Sequence, residues 1–409
     1  MQERNALQRG LGFLARQERA FKINLAKVSI QNFFVYLTQQ YQSIFVIGLG
    51  ATPLQLGIMN SIGGLVGAAI ATPTGWLADR RGIKVVMLLG MLPMIIGALV
   101  FSLAYDWTVA AAAVVISTVA LRMEMTACPM VCGGCLKSSE RAMGMQVCDT
   151  LSAMPRIVSP IIGATVVAAF GGMVVSGIRP LYYIQAAGFI LVLLIVLRVF
   201  SNPPRIKETS IAGVTAGLQE VFDKGIKVRR WLAYTCLSSI PMFVTPSYLP
   251  LYAAEVKSAD QYVLGGMASA AMIIPLLLSI PAGHWADRAG RKKIIYLTTL
   301  VHCSSLLLLI FSFDTTMLLT SSILQGFFTL AMVTQAAMSA ELVPIRLLGR
   351  WYGLLGLFRG IMGVFAPVAA GLIWNSLGAD YVFVMLMGTE LAKLAILIAV
   401  PETLKPREG

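Results

Sequence analysis

Gly-Trp-Leu-Ala-Asp-Arg-Arg-Gly-Ile-Lys at residues 75–84 returns as Gly-His-Trp-Ala-Asp-Arg-Ala-Gly-Arg-Lys at residues 283–292. Six of the ten positions agree, all at an offset of 208 residues, and Pro73 and Pro281 carry the match upstream. In each copy a long apolar run ends at the Gly and another begins just after the Lys. Each copy is therefore a tight basic turn between two hydrophobic segments. A repeat of half the chain length describes two related halves rather than a solenoid.

Composition places those halves in a membrane. Hydrophobic residues make up 57% and charged residues 12% of the 409, and mean hydropathy is +0.78. Soluble domains carry roughly twice that share of charge. Runs of about twenty apolar residues recur, each long enough to cross a bilayer core of about 30 Å. Lipid satisfies no backbone polar group, so the runs are expected to be helices.

The net charge of +13 follows from topology rather than from a nucleic-acid partner. With the spans assigned below, the 32 Lys and Arg divide into 26 on one side, 2 on the other (Arg179 and Lys257) and 4 within spans. That asymmetry puts both termini in the cytoplasm. The six Cys lie in or beside apolar runs, which argues against a disulfide framework. The first apolar run starts near Val28, after six basic residues, with no small-residue cleavage site behind it.

The duplicated stretch resembles motif A of the major facilitator superfamily, Gly-x-Leu-Ala-Asp-Arg-x-Gly-Arg-Lys. Ile83 stands where that motif has Arg, and Trp285 where it has Leu. The resemblance covers nearly the whole chain. It implies an all-α integral membrane protein of twelve transmembrane helices in two pseudo-symmetric six-helix bundles. The expected division is a basic amphipathic segment at 1–27, an N-terminal bundle at 28–200, a linker at 201–230, a C-terminal bundle at 231–401 and a tail at 402–409. Gly75, Asp79, Arg80 and Gly82 in the first copy, and Gly283, Asp287, Arg288 and Gly290 in the second, would gate the conformational change. The family geometry would set Asp79 near the start of helix 11 and Asp287 near the start of helix 5, where a helix dipole stabilises a carboxylate. Basic residues of the motif can pair with acids at neighbouring helix ends, with Glu140 and Glu341 the candidates.

Polar residues inside the spans nominate a substrate path. In helix 1 (28–50), Asn32, Tyr36, Gln39 and Gln40 share one face, read either as interhelical hydrogen bonding or as a substrate lining. Gly63 and Gly67 in helix 2, and Gly356, Gly360 and Gly363 in helix 11, suit close packing. Helix 4 (108–135) holds Arg122 and Glu124. Arg122 is similar to the helix-4 Arg of motif B. Asp149 and Arg156 lie seven residues apart in helix 5 (141–168), where Ser159-Pro160-Ile161-Ile162-Gly163 resembles the antiporter-associated motif C. Helix 7 (231–254) carries Tyr248 among Pro241, Pro246 and Pro250, and is expected to be interrupted. Gln325 lies in helix 10 and Arg359 in helix 11, while Glu390 and Lys393 of helix 12 are spaced to pair. Pro401-Glu402-Thr403 is similar to the tripeptide that follows helix 12 in many family members. Charge inside a membrane is costly and marks function by default. An Arg left without a carboxylate would take an anionic substrate, and a carboxylate left over, Glu124 or Asp149, would carry protons.

The function expected is secondary active transport of a small organic solute, with organic anions the leading class, by alternating access with proton coupling. Drug/proton antiport of amphipathic compounds competes, favoured by the motif-C likeness and by 21 Met. Two lesser readings are a transporter-fold sensor and a soft-metal transporter using Cys128, Cys132 and Cys135 on one helix face. An enzyme would need a nucleophile–base or metal set, and only two His are present. No Gly-x-x-x-x-Gly-Lys-Ser/Thr loop for ATP occurs. The expectations are no cofactor and no metal, a small-molecule substrate, protons and membrane lipid as partners, no nucleic acid, a monomer, and the plasma (cytoplasmic) membrane as location.

Overall fold

The computed structural model describes residues 16–135, 141–200, 226–343 and 348–402. Among them every regular element is helical. We number the spans α1 to α12. The first is α1a (Arg19–Thr38), a 3-10 turn (Gln39–Tyr41) and α1b (Gln42–Gly48). Then come α2 (Pro53–Arg81), α3 (Ile83–Leu103), α4 (Trp107–Cys135), α5a (Arg141–Ala153), α5b (Pro155–Ala169) and α6 (Val175–Val199). The second half holds α7 (Ile226–Glu255), α8a (Gln261–Ala270), α8b (Ile273–Ala289), α9 (Arg291–Ile310), α10 (Thr315–Glu341), α11 (Leu348–Ser376) and α12 (Ala379–Ile398).

Ten of these spans are long and apolar enough to cross a membrane. The two outside that set are α1 and α7. The apolar character of α1 is diluted by Asn24, Lys27, Gln31 and Asn32, and that of α7 by Lys227, Arg229, Arg230 and a run of Ser and Thr. Helix 1 starts at Arg19, well before the expected residue 28, because Phe21 is fully buried and joins an apolar core with Met87, Met91 and Val196. Most of the 1–27 segment and most of the 201–230 linker lie outside the described residues.

The expected interruption of helix 7 is not found: α7 runs unbroken past all three prolines. A proline removes one ladder hydrogen bond and bends a helix without having to end it, and Pro241 and Pro250 are buried while Pro246 is exposed. The breaks fall instead in α1 at Gln39–Tyr41, in α5 at Met154, just before Pro155, and in α8 at Ala271–Met272.

The repeat seen in the sequence extends to backbone details. Gly50 and Ser258, 208 residues apart, both hold positive φ, at 94° and 51°. Gly82 and Gly290, the second Gly of each motif copy, do the same at 88° and 101°. The residues that open the second and fourth helix of each half are equivalent caps. Thr52 Oγ1 accepts from the Gln55 N–H, and Asp260 from Val263. Asp106 accepts from Val109, and Asp314 from Met317. Each such cap satisfies one of the orphan N–H groups at a helix start.

By contacts the chain divides into two compact units, residues 1–39 with 66–208, and 40–65 with 209–409. The second unit owes its extra segment to close backbone approach. A Cβ on Gly57 would strike the Pro367 carbonyl oxygen, one on Gly371 would come 2.7 Å from Leu54 Cα, and one on Gly64 would come 3.3 Å from the Gly363 carbonyl oxygen. Gly363 also accommodates the Phe243 ring. Gly356, expected at a packing contact, faces open space: a Cβ added there would meet nothing within 4 Å, so that Gly serves no helix contact. Gly67 does, but against side chains: its missing Cβ leaves room for Arg122 and Thr118 of α4.

Candidate functional site

In the first unit the polar face of α1 turns toward α4, α5 and α6. Lys27 is fully buried and forms an ion pair with Glu124 of α4. Gly90 of α3 makes space for that carboxylate, since a Cβ there would lie 3.3 Å from Glu124 Oε1. One turn on, Gln31 donates to Met94 Sδ at 3.3 Å. Asn32 donates to the Ser152 carbonyl at 2.8 Å, beside the break in α5. Another turn on, Tyr36 lies under Arg156, the guanidinium carbon 5.0 Å from the ring centre. Asn32 thus makes an interhelical bond while Tyr36 belongs to a cationic site. Arg156 has no carboxylate partner among the described residues, and its Nε–H is buried without a hydrogen-bond partner. Gln39 and Gln40 sit in the 3-10 turn, Gln39 half-buried and Gln40 buried. Arg122 is half-buried with its stem against Gly67. Asp149 is exposed on α5a, so it is not a buried carboxylate.

The second unit contains a buried charge cluster of a different make. Lys393 Nζ lies 2.8 Å from Glu390 Oε1 and 2.7 Å from Oε2, the pairing expected from their spacing. A third member joins them from α9: His302 Nδ1 is 3.4 Å from Glu390 Oε2. All three side chains are buried, and Phe328 of α10 packs on both bases, 5.0 Å from the imidazole and 5.8 Å from the ammonium. Arg359 of α11 is half-buried and, like Arg156, has no carboxylate partner among the described residues. Gln325 is half-buried and donates to Ser321 in its own helix. Tyr248 is fully buried, its hydroxyl 2.9 Å from the carbonyl oxygens of both Pro53 and Pro367. That hydroxyl holds helices together.

The duplicated basic turns are only partly described. Glu140 lies outside the described residues, and of Gly75, Asp79, Cys128, Cys132 and Asp287 only the helical backbone is described. Arg80 and Arg288 are exposed. In the second copy, Arg291 pairs with Glu341 at 2.5 Å, one of the two acids expected to meet a motif. The final Lys of each copy meets the end of the sixth helix of its half: Lys84 Nζ donates to the Leu197 carbonyl at 3.3 Å, and Lys292 Nζ to the Val400 carbonyl at 2.6 Å. Cations at helix C-termini satisfy orphan carbonyls and the helix dipole together. Glu402 returns the favour at the start of α9, accepting from the Lys292 N–H at 3.0 Å. No group of three or more His, Cys, Asp or Glu that could hold a metal ion occurs among the described residues.

Duplicated halves, all-helical spans and charges drawn inside them describe a multi-pass membrane protein, and comparison with known proteins agrees. The sequence profile described as Major Facilitator Superfamily matches residues 26–274 and 258–409. The chain belongs to the Major Facilitator Superfamily. Two curated proteins of Mycobacterium tuberculosis, each described as an uncharacterized MFS-type transporter, are 30% identical over 195 residues. That stretch is 44% of this chain and 27% of theirs, so the chain spans about a quarter of the length of the curated relatives it matches. Solved structures share the superfamily fold along almost the whole chain. The nucleoside transporter NupG superimposes with a TM-score of 0.74 at 14% identity, covering 93% of this chain and 98% of that one. A POT family transporter in complex with 5-aminolevulinic acid gives 0.71 at 14%, covering 95% and 97%. A bacterial homolog of the lysosomal transporter Spinster gives 0.69 at 13%, covering 93% and 95%. Superfamily members are transporters rather than enzymes, and this one is a multi-pass membrane protein.

Sequence reasoning misses Lys27 and His302. Lys27 precedes the first apolar run, yet it lies four residues ahead of Gln31 on the face that is buried. That spacing is the signal that could have found it. His302 has no sequence neighbour to pair with, because its partner is 88 residues away on α12.

Proposed function

We propose that this superfamily member is a secondary active transporter that moves a small organic anion by alternating access, coupled to protons. The observation that carries the reading is the pair of half-buried guanidiniums, Arg156 in one unit and Arg359 in the other, that lack carboxylate partners among the described residues. Inside a membrane an unmatched cation is costly, and a substrate carboxylate or phosphate offers the bidentate partner that guanidinium geometry fits. Tyr36 holds the Arg156 plane from one side, which leaves its edge for a ligand. By contrast Glu124 and Glu390 already have lysines. Coupling through Glu124 would require Lys27 to release it, and Asp149 is the alternative carrier. The cell location proposed is the plasma membrane with both termini cytoplasmic, and the working unit a monomer.

Export of amphipathic compounds in exchange for protons is the second reading. It is supported by the motif-C likeness at Ser159–Gly163, where Ser159, Pro160 and Gly163 are buried in α5b. Both readings are separated in liposomes that hold the purified protein and a pH-sensitive dye. Organic anions should trigger proton flux in the wild type, with Arg156→Gln and Arg359→Gln each raising the apparent KM about tenfold or more, the scale of a lost charged hydrogen bond. Flux triggered only by lipophilic cations, unchanged in both variants, would overturn the anion reading in favour of drug antiport.

A further inference from the structure

Only two Lys or Arg, Arg179 and Lys257, fall on the side of the membrane opposite the duplicated motif. Both are committed to the end of the third helix of their half. Arg179 Nη1 and Nη2 donate to the carbonyls of Ser102 and Ala104, each at 2.7 Å. Lys257 Nζ donates to the carbonyls of Ile310 and Ser312, at 2.6 and 3.0 Å. The two carbonyl pairs are related by the same 208-residue offset as the motif. The donors are not. The repeat partner of Lys257 is Leu49, and that of Arg179 is Met387. In the first unit the donor comes from α6, and in the second from the turn that ends α7.

That difference falls on a mechanically weak helix. Pro241, Pro246 and Pro250 supply no ladder N–H to the carbonyls of Leu237, Met242 and Pro246. The distal end of α7 is then closed by a turn in which Ser258 takes φ 51°, the one non-Gly residue with positive φ among those described, and the Ala259 N–H reaches back to the Ala253 carbonyl at 2.8 Å. The turn aims Lys257 at α9, with its ammonium 5.6 Å from the Tyr252 ring. Tyr252 in turn bonds Asp380 at the start of α12. The same stretch of α7 carries the contacts to residues 40–65, through Tyr248 to Pro53 and Ser247 to Asn60.

We propose that Lys257 is a positioning residue that staples the distal end of the proline-weakened α7 to the end of α9, and that through α7 it holds residues 40–65 in place. Among the described residues the first unit has no equivalent staple on α1, whose distal piece α1b belongs to the second unit instead. This role is independent of substrate and of proton coupling.

Hydrogen exchange of the full chain in lipid nanodiscs tests it. Lys257→Met should speed exchange in residues 253–259 and 308–313 by about tenfold or more, the factor that loss of a hydrogen bond from a charged donor carries. Exchange at residues 49–55, distant in sequence and joined to α7 through Tyr248, should also rise. Lys257→Arg should restore protection at all three places. Arg179→Met should speed exchange at residues 100–106 and leave the other segments alone. If Lys257→Met yields no folded protein, Lys257→Gln, which keeps one N–H donor pair, should show the same pattern at smaller amplitude. Faster exchange confined to 308–313, with 49–55 at the wild-type rate, would reduce Lys257 to a local cap and overturn the proposal. So would unchanged protection at 253–259.

Discussion

Lys27 and Glu124 show how much one missing partner alters the reading of a residue. From sequence, Glu124 is a buried carboxylate free to carry protons. In the fold it is matched by an ammonium 97 positions earlier. Losing one member of a buried pair leaves a bare charge, which costs about 3–5 kcal/mol, while removing both members together is often close to neutral. Lys27→Met and Glu124→Gln should therefore each lower the unfolding temperature of the detergent-solubilised protein sharply, and the double variant should recover most of the loss. Two single losses that simply add in the double variant would show that the two side chains do not interact. The pair is illegible in the sequence because α1 begins earlier than its apolar run, so that Lys27 looks like a flanking cation. Glu390 and Lys393 are legible because three residues of helix separate them. The addition of His302 from α9 is not, since no local spacing encodes a contact between distant helices. Arg156 and Arg359 stand out in the sequence as cations inside apolar runs, but that Tyr36 sits beneath Arg156 depends on how α1 and α5 pack.

At the scale of the element, caps and turns are more visible than breaks. Asp106 opens α4, and its carboxyl is held below the usual carboxylate range, first by the Thr108 hydroxyl and then by the Val109 N–H, with burial opposing weakly. A group depressed in the folded state stabilises fully above its unfolded value, about 3.9, and loses that contribution as pH falls through the folded one. The protection factors of residues 107–110, corrected for the intrinsic pH dependence of amide exchange, should thus fall on acidification below about pH 4 in the wild type, and Asp106→Asn, which keeps the acceptor without the charge, should abolish that acid step. Ser258 makes the opposite kind of prediction. Its repeat partner is Gly50, and both hold positive φ. A side chain in the left-handed region is strained, so Ser258→Gly should raise stability by up to about 1 kcal/mol despite the looser unfolded chain. A lower melting temperature in that variant would mean that the Ser side chain itself holds the turn. Gly57 allows no such freedom. Its Cβ would meet the Pro367 carbonyl, so Gly57→Ala should cost about 1–3 kcal/mol in overpacking. The break in α1 is hidden in the sequence because Gln39-Gln40-Tyr41 contains neither Gly nor Pro, whereas three prolines in α7 point to a helix that stays continuous.

At the scale of the whole molecule, the duplication decides the fold from one ten-residue stretch, and the structure carries the repeat into caps, positive-φ positions and capped carbonyls at nearly constant offset. What the repeat does not carry is chemistry. The buried ion pairs differ between halves, one across α1 and α4 and the other within α12 with a His from α9. The unequal staples at Arg179 and Lys257 bear on orientation as well. Positive charge on the translocated side of a membrane is disfavoured, and the two side chains that the proposed topology puts there are held by helix-end carbonyls, where the dipole favours a cation. If α1 and α7 cross the membrane with the other ten helices, the chain returns to the side on which it started. Reporter fusions should then find the linker near Ser210 and the C-terminus on the cytoplasmic side, and the turns at Tyr105 and Phe313 on the other. Replacing both Arg179 and Lys257 by Met should leave that topology intact, because the many basic residues clustered at the motif end decide it. A reporter that is active outside the cell when fused near Ser210 would invert every assignment of sidedness and place the duplicated basic turns outside, against the charge distribution from which the topology is argued.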